Sequence, residues 1–260
     1  MRGLDVLVVG AHPDDIEIGS GGYLLLCRDR GVQSGAIDLT AGERASSGTP
    51  QDRDRESQRA AERLQLVVRE QLGLPDTEVS DTPPARRALV AVLRRWRPRL
   101  LIGPSGDDPH PDHEAAARLV RSAWFLSGVA GYEQDLGPAY RPPRHLEMVV
   151  RPGRRPEILL PIDDVWQEKC DLLMEHKSQF GRTNPHRLGA GNPLREVDAV
   201  ASSLGALAGC ERAEGFNAPS GWVTSELLPD VLAREAASSR NSNATCNEPD
   251  AMRPGPVELP

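Results

Sequence analysis

Two stretches of this 260-residue chain, AHPDDIEIGSGG and SGDDPHPDH, hold the residue types best suited to chemistry. The first supplies His12, Asp14 and Asp15; the second supplies Asp107, Asp108, His110, Asp112 and His113. His12, Asp15 and His113 make a set of two imidazoles and one carboxylate. Three protein ligands with an open position are the pattern of catalytic rather than structural zinc. A cation held there lowers the pKa of bound water toward ~7, so hydroxide is available at neutral pH. Asp14, next to a ligand but not needed as one, is placed to take the proton of that water. His110 is suited to stabilising an oxyanion or protonating a leaving amine, and Asp112 to orienting His110 through a hydrogen bond. Asp112 is equally suited to capping the helix that follows it. The same ligand set accommodates Fe(II) or Co(II), and it is also the facial triad of non-heme Fe(II) oxygenases. The additional Asp14 favours hydrolysis over oxygen chemistry.

Residues about a hundred positions apart meet only if the fold brings their loops together. LDVLVVG (Leu4–Gly10) is a short continuous apolar run, as expected of a strand buried on both faces. YLLLCRDRG reads as a helix ending at Gly31, followed by a strand over Val32–Thr40. A charged helix, DRDRESQRAAERLQL, and an amphipathic helix, PARRALVAVLRRWRPR, lead to the strand Arg99–Pro104. The second His-Asp loop then opens the helix EAAARLVRSAWFL. HLEMVV and EILLPID read as further strands, with one helix over 165–180 and another over Leu194–Ala208. This alternation predicts an α/β fold, a Rossmann-like, mostly parallel sheet with helices on both faces. Ligands of such sheets bind beyond the carboxyl ends of the strands. Both His-Asp loops directly follow strands, so they converge if those strands are parallel neighbours.

Composition limits the alternatives. A net charge of −7 argues against general nucleic-acid binding, and the arginines between Arg86 and Arg99 read as a solvated helix face. No apolar run approaches the ~18–20 residues of a membrane span. Four scattered cysteines and no apparent leader make a reduced cytoplasmic protein the expectation. GSGG lacks the spacing of a dinucleotide loop and reads instead as close packing of helix on strand. From about Ser238 the chain is polar, Pro-rich and aperiodic. We therefore expect one domain over 1–235 and a disordered tail over 236–260, with the Asn243-Ala-Thr sequon accidental.

With AHPDDIEIGSGG and HPDH in view, the chain resembles the PIG-L/LmbE family of zinc-dependent sugar N-deacetylases. The similarity is closest to the bacillithiol-biosynthesis branch, whose members deacetylate N-acetylglucosaminyl malate, and to related bacterial N-acetylglucosamine deacetylases. DLTAGERASSGT, LGLPD, KSQF and AEGF extend the likeness over about residues 3–232. The resemblance implies His12, Asp15 and His113 as Zn2+ ligands, Asp14 as general base, and His110 with Asp112 assisting the tetrahedral intermediate. It further implies Arg53 and Asp76 as substrate-binding residues, a GlcNAc-type small-molecule substrate and a homo-oligomer, with no nucleic-acid or membrane partner. Some family members polarise the amide carbonyl with a tyrosine from a late loop; the corresponding NPHRLGAGNPLREVDAV contains none. A metal-containing sugar-binding or assembly protein that has lost activity is the non-enzymatic alternative.

Overall fold

The computed structural model describes residues 3–151, 155–181, 192–219 and 221, which fall within one compact unit, Met1–Gly221. The expected boundary at 235/236, the tail, the sequon and Cys246 lie outside the described residues. In chain order the elements are β1 (Val6–Gly10), α1 (Asp15–Asp29), β2 (Ser34–Asp38), α2 (Pro50–Arg63), β3 (Val68–Gln71), α3 (Pro83–Trp96) and β4 (Leu100–Pro104). There follow α4 (Pro111–Ser127), β5 (Arg144–Val149), β6 (Ile158–Pro161), α5 (Trp166–Leu173), α6 (Lys177–Phe180), α7 (Pro193–Ala208) and β7 (Ala213–Asn217). The strands form one seven-stranded sheet in the order β3-β2-β1-β4-β5-β7-β6. Strands β3, β2, β1, β4 and β5 run parallel; β7 is antiparallel to both β5 and β6. This is the mostly parallel α/β sheet that the sequence predicts.

The strand order reverses between β1 and β4, and the register Val6↔Leu100, Leu7↔Leu101, Val8↔Ile102 aligns their carboxyl ends. That reversal is a topological switch point, where open α/β sheets form their crevice. Both strands are buried along their whole length. Leu7 and Val9 of β1 enter a core with Leu101, with Leu89 and Leu93 of α3 and with Leu119 and Val120 of α4. Alternation along the strand turns Val6 and Val8 to the opposite face. Helix α1 packs on β1, β2, β5 and β7 and against α5. The close approach explains GSGG: a Cβ on Gly19 would stand 2.6 Å from Met148 Sδ, and one on Gly22 2.8 Å from Ile162 Cγ2.

Several local expectations are corrected. Helix α1 begins at Asp15, well before YLLLCRDRG, and bends at Ser20 (φ −147°), whose hydroxyl donates to the Ile16 carbonyl at 3.0 Å. The helix expected over 165–180 divides into α5 and α6, because His176 turns inward and stands 3.3 Å from the buried Glu17 carboxylate. The α3 arginines are not simply a solvated face. Arg94 is buried and donates to the carbonyls of Ser127, Val129, Tyr132, Glu133 and Gly137, which ties down the turn after α4. Arg86 pairs with Asp81, Arg87 with Glu133 and Asp135, and Arg95 with Glu70. Among the described residues no helix is long and apolar enough to cross a membrane.

A buried base on β5 makes stability depend on pH. His145 is 3% exposed and its Nε2 has no partner among the described residues. Burial, helped by the charge of Arg121, pushes its pKa down to about 4 from 6.5. The unfolded chain therefore takes up the proton first as pH falls. The stabilising contribution is complete above pH 6.5 and is lost progressively toward pH 4, by a total of about 3 kcal/mol. Urea midpoints measured between pH 7.5 and 4.5 should fall more steeply for the native protein than for His145→Gln. Parallel slopes would show that His145 does not carry this effect.

Candidate active site

The chain turns sharply after β1. Asp14 stands at φ 125°, beyond the left-handed region in which Asp and Asn are enriched, so the backbone is strained where it enters the first turn of α1. Arg53, on α2, holds it there: the guanidinium donates to Asp14 Oδ1 at 3.1 Å and to the Pro13 carbonyl. Gly42 makes room, since a Cβ at that position would lie 2.6 Å from Arg53 Cζ. The second loop closes against the first from β4. Pro111 starts α4, and the His110 ring caps it, Nδ1 accepting from the Asp112 amide at 3.2 Å.

The parallel pairing of β1 and β4 brings His12, Asp15 and His113 together. The donor atoms of these three all lie within 4.8 Å of one another. Asp15 Oδ2 is 3.4 Å from His12 Nδ1, and Asp15 Oδ1 is 3.3 Å from His113 Nε2. Two ligands at 2.0–2.1 Å from a tetrahedral ion stand about 3.3–3.4 Å apart, and each imidazole nitrogen stands at that separation from one of the two Asp15 oxygens. The far ring nitrogens are fixed as ligand histidines require. His113 Nδ1 meets Asp108 at 3.1 Å, and His12 Nε2 lies 3.1 Å from Asp112 and 3.2 Å from Asp76. These carboxylates favour keeping the proton on the far nitrogens, so the proton each ring gives up on binding a cation is the one on Nδ1 of His12 and Nε2 of His113.

Electrostatics separates the two adjacent aspartates. Burial raises the pKa of Asp14, against the pull of Arg53. Burial opposes ionisation of Asp15 too, but His113 and His12 override it and hold that carboxyl well below the usual range. His12 rises to about 9 and His113 to about 11, because their carboxylate neighbours outweigh the cost of burying the charge. A cluster that attracts protons in this way attracts a divalent cation in their place, and binding it releases those protons. His110 is pushed down by burial and by the nearby imidazoles. It is therefore neutral at pH 7, and with Nδ1 accepting, its Nε2–H is the donor.

All six residues expected to carry metal or acid–base chemistry thus meet here, but Asp112 is used differently. Its carboxylate accepts from the amides of Thr77 and Val79, at 2.7 and 3.2 Å, and faces His12; its contact with His110 runs through its backbone N–H. Arg53 is 4% exposed and engaged with Asp14. Asp76 accepts from the Arg44 amide at 2.7 Å and joins the pocket wall. Asp108 had no assigned role, although a ligand histidine's need for a second-nitrogen partner was the signal that could have found it. The pocket encloses about 490 Å³ and is completed by Ile18, Met148, Val150, Gln179 and Val197. Of the late loop, 184–191 lie outside the described residues, and Asn192 caps α7.

Residues 7–124 match the sequence profile described as PIG-L, GlcNAc-PI de-N-acetylase. Diacetylchitobiose deacetylase of Thermococcus kodakarensis is 30% identical over 186 residues, 67% of this chain and 70% of that protein. The chain belongs to the PIG-L family. A probable N-acetyl-alpha-D-glucosaminyl L-malate deacetylase 2 of Bacillus cereus is 27% identical over 67% of this chain and 83% of its own length. The crystal structure of the conserved protein TT1542 from Thermus thermophilus superposes with a TM-score of 0.76 at 34% identity, covering 85% of this chain and 97% of that one. The PIG-L match contains both His-Asp loops and ends within α4. Met148, Val150, Arg151, Gln179 and Val197 line the pocket from beyond it.

Proposed function

We propose that this PIG-L protein is a metal-dependent amidohydrolase that removes the N-acetyl group from a GlcNAc-containing small molecule, N-acetylglucosaminyl malate or a related conjugate. The observation that carries this reading is the convergence of His12, Asp15 and His113 beside Asp14 and His110 in one pocket. Zn2+ is the proposed ion, with Fe2+ or Co2+ suited to the same donors. When bound, the cation supplies a Lewis acid and a water of lowered pKa.

The chain's own residues do the rest. Asp14, its pKa raised by burial, accepts the proton of the attacking water as the water oxygen bonds to the acetyl carbon. Arg53 keeps that carboxylate aimed. The Nε2–H of His110 donates to the oxygen on which negative charge develops, its ring held by the Asp112 amide. As the C–N bond breaks, the acid form of Asp14 returns the proton to the departing nitrogen, leaving acetate and a free amine. Asp76 accepts from a sugar hydroxyl at the pocket wall. A place in bacillithiol synthesis follows if malate is the aglycone.

The test is amine release by metal-quantified protein from N-acetylglucosaminyl malate, N,N'-diacetylchitobiose and N-acetylglucosamine, with and without chelator. Release that chelator abolishes and that returns on adding Zn2+ is the expected result. Chelator-insensitive release would remove the metal from the reading, and turnover that requires oxygen would replace hydrolysis with oxygenation.

A further inference from the structure

We propose that Arg151 selects substrates whose aglycone bears a carboxylate, a specificity role that rests on the deacetylase reading above. Three arginines line the pocket, and they differ in what they already hold. Arg53 is buried on Asp14. Arg44 donates to Thr77 Oγ1 at 3.0 Å and to the Glu78 carboxylate at 2.8 Å, so its charge is matched. The Arg151 side chain is 52% exposed, and the carboxylate it approaches is Asp108, at 3.5 Å through Nε. That is longer than the 2.7–2.9 Å of a charge-assisted hydrogen bond. Asp108 is moreover shared: the same Oδ2 lies 3.1 Å from His113 Nδ1, and Oδ1 accepts from the His110 amide at 2.8 Å. No described residue accepts a hydrogen bond from Arg151, and its terminal nitrogens remain for a ligand.

Position says which part of the ligand. Arg151 follows β5, on the side of the metal centre opposite β2 and β3, after which Arg44 and Asp76 stand. With sugar hydroxyls on the Asp76 wall and the acetyl group over His12 and His113, the Arg151 wall receives the aglycone. Met148 and Val150 give that wall an apolar lining, so a charged group landing there has the guanidinium as its partner. A planar fork of donors matches a carboxylate better than a hydroxyl. Arg151 lies outside the residues matched to the family profile.

The experiment compares kcat/KM for N-acetylglucosaminyl malate and for neutral N,N'-diacetylchitobiose in the metal-loaded native protein, R151A, R151K and R151E. The native protein should favour the acidic conjugate. R151A should lower the ratio of the two values about tenfold, with the loss in KM, R151E should lower it further, and R151K should recover part. A native protein without that preference, or variants with an unchanged ratio, would overturn the assignment of Arg151 while leaving the deacetylase reading intact. A fall in kcat on both substrates, with loss of bound metal, would also overturn it, because Arg151 would then act through Asp108 on His113. Release from neither substrate by the metal-loaded native protein would sink the deacetylase reading itself, and this inference with it.

Discussion

Asp14→Asn is expected to lower kcat for amine release by about 10²–10⁴-fold while bound metal stays at the native level. The substitution isolates one property. Asn meets the positive φ of position 14 with the same backbone strain as Asp, so the turn after β1 is not strained further. The amide oxygen of Asn still accepts from Arg53, keeping the guanidinium's 3.1 Å contact. What is lost is the ability to take a proton. Asp15→Asn, one residue on, should behave in the opposite order: metal content falls first and activity follows it. Elemental analysis with single-substrate kinetics on both variants separates the roles. Metal loss from Asp14→Asn would make Asp14 a ligand; near-native kcat would require another base. His110→Gln should lie between them, retaining metal and losing the part of the rate that depends on oxyanion stabilisation.

Much of this site was legible because its signals are local. β1 and β4 are buried on both faces, so they read as continuous apolar runs, and each His-Asp motif follows directly. Their convergence needed only the parallel pairing that strand–helix alternation implies. What escaped depends on partners distant in sequence. VREQ does not look like a strand, yet it is β3, because Arg69 is buried by pairing with Glu17 and Asp38. AEGFN hides β7 for the same reason. Glu214 is buried against Lys169 at 2.6 Å and accepts from the amides of Gly22 and Tyr23 at 2.8 Å. Asp112 reads ambiguously as cap or orienter because its true partners, Thr77, Val79 and His12, come from other loops. Hydropathy registers a charge; it does not register the opposite charge that lets it be buried.

Arg69 carries the largest expected effect on stability. Its side chain is 2% exposed; Nε and Nη2 donate to Asp38 at 2.8 and 3.1 Å, and Nη1 donates to Glu17. Glu17 in turn faces His176. Burial would raise the pKa of Glu17, but Arg69 and His176 hold it far below the carboxylate range, whereas burial of Asp38 prevails over Arg69 and raises it. Replacing such a group with well-packed apolar residues can be neutral, but removing one member strands the others in a low dielectric. Arg69→Met should therefore cost about 3–5 kcal/mol, a large share of the ~5–15 kcal/mol that stabilises a typical domain. Arg69→Lys restores a charge without the fork and should recover only part. Arg69→Met combined with Glu17→Gln and Asp38→Asn should recover more, because no carboxylate is then left unpaired. The Glu17 contribution is present above its ordinary pKa of 4.5 and lost as pH falls below it, so urea midpoints of the native protein and Arg69→Met should draw together in acid. The position of the network gives the test a functional readout. Glu17 lies two residues beyond Asp15 in the first turn of α1, and Asp38 ends the strand beside β1. If the network anchors that turn, Arg69→Met assayed well below its unfolding transition should bind metal more weakly, while a midpoint within 1 kcal/mol of the native protein would show that the buried charges find water or one another without it.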